Sequence, residues 1–131
     1  MEPDFPIEIF LSGNPRSLQA AAQSLRQWKA TVSDAIRDKL PENAFLSEAP
    51  MKATFIWFSD SENVGDLDNI LKPILDACVR VVIVDDDQVQ SISADLFPPS
   101  RIADFSNPTA TLAQALDADR PGVYFRLEER Q

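Results

Sequence analysis

Histidine is absent from this sequence, and cysteine occurs once, as Cys78. Without histidine there can be no Ser-His-Asp or Cys-His catalysis, no histidine general base and no histidine metal ligand. A single cysteine also excludes an intramolecular disulfide and a cysteine-cage zinc site. Any chemistry must therefore rely on carboxylates, lysine, arginine, hydroxyls and metal ions that prefer oxygen ligands.

Basic residues are scarce as well: 12 Lys and Arg stand against 21 Asp and Glu, for a formal net charge of −9. A charge of this sign repels nucleic-acid backbones and anionic membranes at long range. No apolar run approaches the roughly 18 residues of a membrane-spanning helix, and the first residues lack the features of a signal peptide. We therefore expect a soluble, cytoplasmic protein in a reducing compartment, with no membrane partner.

The length of 131 residues is typical of one domain with a sizeable core. Aliphatic residues alternate at positions 7–11, which predicts a strand. Ser17 is placed to cap a long helix that ends before Pro41, with an apolar stripe close to the helical period. Residues 51–58 are rich in aromatics and uncharged after Lys52, which predicts a strand buried on both faces.

The second half of the chain also alternates strands and helices. A helix is predicted from about Asn69 to about Arg80, with residues 66–68 extended, because Pro73 is tolerated only near a helix start. Further strands are predicted at residues 81–84, 88–97 and 123–127. A short helix is predicted at residues 108–118, with Asn107 as its cap and Pro108 at its first position. We predict an α+β fold: a small single domain, residues 1–131, with a mixed sheet of about four to five strands packed against two main helices. The expected core includes Trp28, Trp57 and Cys78.

A first acidic motif follows Gly65 and reads Asp-Leu-Asp-Asn-Ile-Leu-Lys, from Asp66 to Lys72. In an extended segment, residues two apart point the same way, so Asp66 and Asp68 would present their carboxylates together. Such carboxylates repel each other unless a cation lies between them, and Mg²⁺ or Mn²⁺ suits oxygen ligands. Asp68 and Lys72 are four residues apart, which predicts that they share one helix face.

The same residues admit a purely structural interpretation. Asp66 would cap the helix, and Asp68 would lie in its first turn, where the helix dipole favours a carboxylate. Lys72 would then pair with Asp68 and Asp76. Exposed pairs of this kind are common and weak, so this motif alone does not indicate a metal site.

A second acidic motif, Asp85-Asp86-Asp87, follows the apolar run at residues 81–84. Arg80 is the only basic residue nearby in sequence, so local basic residues cannot neutralise all three carboxylates. An acidic turn in solvent is the plain alternative. Together with the first motif, however, two helix-start carboxylates, a strand-end carboxylate and a lysine form an arrangement common in metal-dependent phosphoryl transfer. In that chemistry the metal activates water and the lysine stabilises charge on the phosphate.

The two motifs together resemble the RusA-type Holliday-junction resolvases. The segments from Gly65 to Asp76 and from Val84 to Val89 are similar to the family signature, which is Asp-Leu-Asp-Asn-x-x-Lys followed shortly by Asp-Asp-x-Gln-Val. The resemblance implies a small homodimeric endonuclease that depends on Mg²⁺, with Mn²⁺ as a possible substitute. It also implies branched DNA as the substrate, cut at four-way junctions in recombination and repair.

Residue by residue, the resemblance implies that Asp66, Asp68 and Asp86 bind the metal and that Lys72 is the essential catalytic lysine. Asp85 matches a neighbouring family aspartate. No side chain in the sequence is an obvious general base, so water activated by the metal is the expected nucleophile.

The sequence departs from the family pattern in its charge. The stretch before Asp66 holds two acids and no basic residue, where family members often carry arginines. Residues 98–120 also form a longer path to the last strand than is usual. Six basic residues between positions 15 and 52 outnumber the four acids there, and these are the candidate DNA-binding residues: Arg16, Arg26, Lys29, Arg37, Lys39 and Lys52. The helix predicted at 17–40 would carry most of them on a mildly basic face, unless that face is simply solvated.

Three functions therefore stay open. The first is a junction-resolving endonuclease, which the intact pattern of acidic residues and lysine favours. The second is a RusA-fold protein with weak or no catalysis that acts as a binding or regulatory subunit, which the acidic net charge favours. The third is a nuclease for another nucleic acid, or one whose basic surface comes from a partner.

Overall fold

A computed structural model of the chain describes residues 3–62 and 67–130. The strands are β1 (Ile7–Ser12), β2 (Met51–Phe58), β3 (Val89–Phe97) and β4 (Gly122–Glu129), and the helices are α1 (Ala22–Arg37), α2 (Leu67–Cys78) and α3 (Ala110–Asp117). The predicted α+β class with a mixed sheet is confirmed. Within the described ranges, no helix combines the length and the apolar character needed to cross a membrane.

The four strands form one sheet in the order β1-β4-β2-β3. The last strand, β4, pairs antiparallel with both β1 and β2, so it lies inside the sheet although it comes last in the chain. β2 and β3 are parallel and are joined through α2. Parallel neighbours need such a crossover, and this one brings α2 and the turn before β3 to one side of the sheet.

The main core lies between the sheet and the two longer helices. Alternate strand residues such as Ile9, Phe55 and Phe125 face the same way, because they are partners across the sheet. They join the buried faces of α1 and α2 in one apolar cluster. The predicted core positions of Trp28, Trp57 and Cys78 are confirmed, with exposures of 8%, 6% and 0%. Burial raises the pKa of the Cys78 thiol to about 12, so that sulfur stays protonated.

The opposite face of the sheet is covered only in part, by α3. A smaller aromatic cluster lies there, in which Phe58 stacks on Phe97 at 5.8 Å between ring centroids. Tyr124 belongs to this cluster, and Ala115 is the buried residue of α3. Beyond α3 this face is polar and open, and Lys52 lies on it.

Two helix starts differ from the prediction. α1 begins at Ala22, not Ser17, because the Ser17 hydroxyl accepts a hydrogen bond from the Gln19 N–H at 3.1 Å and closes a separate turn. In α3, Thr109 is the N-cap and accepts from the Leu112 N–H, so the expected cap at Asn107 and first position at Pro108 are wrong. In both helices the predicted capping residue lies before the observed helix start, because serine and asparagine also favour turns.

The strand predicted at residues 81–84 is wrong. The N–H groups of Val81, Val82 and Ile83 all point to the Cys78 carbonyl at 3.0–3.3 Å, so this stretch is a tight turn after α2. Val82 and Ile83 are fully buried in that turn. The apolar run therefore indicated burial correctly, but a run this short does not distinguish a strand from a buried turn.

The start of α2 also differs from the prediction. Leu67 and Asp68 are helical, so the expected extended stretch is wrong at these two residues, while Asp66 lies outside the described residues. Pro73 is therefore inside the helix, where it cannot donate to the Asn69 carbonyl. The Leu18 N–H donates to that carbonyl instead, at 3.0 Å. This hydrogen bond compensates for the proline and joins the β1–α1 connection to the first turn of α2.

Candidate active site

Asp68 and Lys72 of the first motif lie along the more exposed side of α2, together with Asp76. Lys72 and Asp76 are one helical turn apart, and the Lys72 Nζ lies 2.9 Å from the Asp76 Oδ1. Asp68 lies one turn earlier and is exposed. Among the described residues Asp68 forms no ion pair with Lys72, so that part of the structural interpretation is wrong, whereas the Lys72–Asp76 pair is present.

The second motif reaches the same place from the start of β3. Asp86 begins a short 3-10 turn, Asp86–Gln88, that leads directly into the strand. Its carboxylate Oδ2 accepts a hydrogen bond from the Lys72 ammonium. The fold therefore brings together one residue from each motif, Lys72 and Asp86, which are 14 residues apart in sequence. Both side chains are partly exposed, 44% for Lys72 and 33% for Asp86, so the pair is accessible to a substrate.

The Lys72–Asp86 contact fixes the charges of both groups. The hydrogen bond from Lys72 lowers the pKa of Asp86 below its usual value. The hydrogen bonds to Asp86 and then to Asp76 raise the pKa of Lys72. At neutral pH, Asp86 is therefore a carboxylate and Lys72 an ammonium. Lys72 can stabilise negative charge but cannot act as a general base.

Gln88 holds the second motif in place, and the sequence assigned it no role. Its side-chain oxygen accepts from the N–H groups of Val84 and Asp85, at 2.8 and 3.0 Å. Its side-chain nitrogen donates to the carbonyls of Ser47 and Ala49, at 2.8 and 3.0 Å. One amide thus uses both ends to join the 3-10 turn to the loop before β2. The sequence feature that could have indicated this role is the capping-box spacing of Asp85 and Gln88.

Asp85 and Asp87, the other aspartates of the second motif, are arranged differently from Asp86. Asp85 caps the 3-10 turn and accepts from the Asp87 N–H at 3.4 Å, and both residues are exposed. Asp66 lies outside the described residues. Within residues 3–62 and 67–130, no three or more of Asp, Glu, His and Cys group closely enough to hold a metal ion.

The donor chemistry nonetheless suits a hard divalent cation. Asp68 and Asp86 offer carboxylate oxygens, the ligands that such cations prefer. The Lys72 ammonium already pairs with the Asp86 Oδ2, which shows that this carboxylate attracts positive charge.

The six basic candidates do not form one surface. Arg26, Lys29 and Arg37 occur at spacings that place them on one side of α1. Lys29 lies 3.4 Å from the Asp76 Oδ2, so this side of the helix borders the site. Arg16 precedes the helix and bonds to Ser24 and to the Asn14 carbonyl, as part of a shallow pocket of about 260 Å³. Lys39 follows α1 and is exposed, whereas Lys52 lies on the other face of the sheet.

The sequence matches the family model of the endodeoxyribonuclease RusA over residues 6–104. That range includes β1, α1, β2, α2 and β3, and therefore every described residue of the two motifs. The sequence has no significant match among curated proteins. Because the match spans most of the chain, this chain belongs to the RusA endodeoxyribonuclease family. The family consists of divalent-metal-dependent nucleases that act on branched DNA junctions.

Proposed function

We propose that this chain is a Mg²⁺-dependent endonuclease that resolves four-way DNA junctions in recombination and repair. Residues 1–131 act as one catalytic unit, in the cytoplasm, with Mn²⁺ as a possible substitute metal. The observation that carries the proposal is the Lys72–Asp86 contact, which joins the two motifs in a chain of the RusA family.

Asp66, Asp68 and Asp86 would hold the metal. When bound, the ion supplies a water activated for attack on phosphorus and partly neutralises the phosphodiester. The chain contributes the positions of the carboxylates, with Asp68 in the first turn of α2 and Asp86 at the start of β3. The Lys72 ammonium contributes a positive charge for the developing negative charge on a phosphate oxygen.

Branched DNA would lie across the exposed side of α1 and the start of α2. Arg26, Lys29 and Arg37 offer positive charge beside the site, and Arg16 extends it through the β1–α1 connection. Lys39 adds charge after the helix, whereas Lys52 is a poor candidate because of its position on the other face. With a net charge of −9, we expect binding to be weak and to fall steeply as salt rises.

A homodimer fits this function, because a four-way junction is resolved by two symmetric nicks and each chain offers one site. Light scattering on the protein with and without junction measures the assembly. A protein that stays monomeric on a junction it cleaves would contradict this part of the proposal.

Cleavage of synthetic junctions by the wild type and Lys72→Ala is the direct test. We expect the wild type to cut a four-way junction with Mg²⁺ or Mn²⁺ in preference to duplex, flap or RNA. Lys72→Ala should fold and bind metal but cleave roughly a hundredfold more slowly, as when one electrostatic stabiliser is removed. Junction binding without cleavage by the wild type would favour the binding subunit, and preferred cleavage of RNA the third function.

Metal-dependent stability tests the ligand assignment without a substrate. Millimolar Mg²⁺ or Mn²⁺ should stabilise the wild type, by about 1.4 kcal/mol at ten times the dissociation constant. Asp86→Asn should lose most of this response, because one carboxylate ligand becomes an amide. Asp117→Asn, at the end of α3, is the control and should respond as the wild type does. A full response in Asp86→Asn would show that Asp86 is not a ligand.

A further inference from the structure

We infer that Asp76, which also pairs with Lys29 of α1, is a positioning residue that holds the Lys72 ammonium and thereby keeps Asp86 available to the metal. The inference rests on the proposed function, since it assigns a task to residues beside the proposed metal site. It adds one carboxylate of α2 and one lysine of α1 to that site.

Both oxygens of Asp76 have a cationic partner. Oδ1 lies 2.9 Å from the Lys72 Nζ, and Oδ2 lies 3.4 Å from the Lys29 Nζ. Asp76 is only 29% exposed, because α1 packs beside it. The Ser33 hydroxyl donates to the Ala77 carbonyl at 2.9 Å and fixes α1 against α2 at this level. The position of the Asp76 carboxylate therefore depends on two helices.

The Lys72 ammonium is shared between two carboxylates, Asp76 and Asp86. A metal ion bound by Asp86 must share or displace the ammonium at the same carboxylate, so the two cations compete. Asp76 offers the ammonium a second anionic partner one helical turn away. When Asp86 binds metal, Lys72 can keep its pair with Asp76 and stay beside the reacting phosphate.

Removal of the Asp76 charge should therefore have two effects. In Asp76→Asn, Lys72 has only Asp86 as its anionic partner, so the metal should bind about two- to fivefold more weakly, a size typical of partly exposed ion pairs. The ammonium also loses its anchor, so kcat for junction cleavage should fall about tenfold while KM changes little. A residue that merely stabilised the fold would not weaken metal binding through Lys72.

Mn²⁺ titration followed by electron paramagnetic resonance of the free ion tests the first effect. The proteins are the wild type, Asp76→Asn, Lys72→Met and the double variant. We expect Asp76→Asn to weaken binding only where Lys72 is present, so the double variant should bind like Lys72→Met. Asp95→Asn is the matched control, because Asp95 also pairs with a basic residue, Arg101, at 2.7 Å but lies on the opposite face of the sheet.

Lys29→Met provides a second variant. Because Lys29 shares Asp76 with Lys72, its removal leaves the Asp76 charge to Lys72 alone, so Mn²⁺ should bind more tightly, and more so where Lys72 is present. If Asp76→Asn fails to fold by circular dichroism, Lys29→Met decides the question in the same cycle with Lys72→Met. Wild-type affinity in Asp76→Asn, or an equal loss without Lys72, would overturn the inference and leave the proposed function intact. If the wild type itself binds no Mn²⁺, both are overturned.

Discussion

The two faces of the sheet differ in their packing and in their role: the first face lies under α1 and α2, and the second lies under α3. The face under α1 and α2 has a continuous apolar core, and the candidate site lies on the outer side of these helices. The opposite face has a smaller aromatic cluster and a polar, partly open half. The family match covers α1, α2 and three of the four strands, whereas α3 and β4 lie beyond residue 104. The site is therefore carried by the matched part, and the tail completes the sheet that supports it.

The largest expected difference between the faces concerns stability. Phe55→Ala should lower the free energy of unfolding by about 3–5 kcal/mol, because Phe55 is fully buried in the middle of the sheet and the cavity cannot collapse. Phe97→Ala should cost about 3 kcal/mol, the low end for truncation of a buried aromatic residue, since Phe97 lies in the smaller cluster and at the end of the edge strand β3. Urea unfolding of both variants measures the difference. Equal losses would show that the two clusters support the fold equally.

A smaller effect is expected at Gln88, which connects the core face to the site. Gln88→Ala removes four hydrogen bonds and should cost about 2 kcal/mol, because the carbonyls of Ser47 and Ala49 lose their partner. It should also slow cleavage, since Asp86 stands in the turn that Gln88 holds. Gln90→Ala is the control: its side chain is exposed and bonds to Arg130 at 3.2 Å. If both variants behave alike, the hydrogen bonds of Gln88 are not what positions Asp86.

Much of the first face could be predicted from the sequence, because it follows from periodicity. The alternation of aliphatic residues predicted β1, and the helical spacing of apolar residues predicted the buried side of α2. The failures occurred where a particular hydrogen bond outweighed a pattern. Residues 81–84 are apolar and buried, but the Cys78 carbonyl satisfies their N–H groups in a turn. Pro73 lies inside α2 because Leu18, far away in sequence, donates to the carbonyl that the proline leaves free.

The candidate site was predictable to a similar degree. The two motifs identified Lys72 and Asp86 as parts of one site, and the fold does bring them together. The Lys29–Asp76 contact and the hydrogen bonds of Gln88 could not be predicted, because each joins elements that are distant in the chain. Lys52 was grouped with the other basic residues by position in sequence, but strand alternation turns it to the other face of the sheet.

The smallest expected effect concerns Tyr124, on the face away from the site. Its hydroxyl donates to Glu8, which also accepts from the Thr109 hydroxyl at 2.5 Å. Below pH 10, Tyr124→Phe should cost about 1 kcal/mol for the lost hydrogen bond and should leave junction cleavage unchanged. Thermal melts and junction cleavage of the two proteins at neutral pH measure both quantities.

The pH dependence of this variant sharpens the comparison of the faces. Burial, followed by the hydrogen bond and charge of Glu8, raises the pKa of Tyr124 to about 12, above the value near 10 of an unfolded tyrosine. Between pH 10 and 12 the unfolded chain therefore loses its tyrosine proton first, and the wild type loses stability that it holds in full below pH 10. Tyr124→Phe has no such loss, so the two denaturation curves should converge in this range.

Tyr124 is the only tyrosine in the sequence, so the ultraviolet absorbance of tyrosinate reports its ionisation directly. Tyrosinate formation near pH 10 in the folded protein would mean that Tyr124 is open to solvent, and the second face would then lack the buried polar contact that distinguishes it from the first.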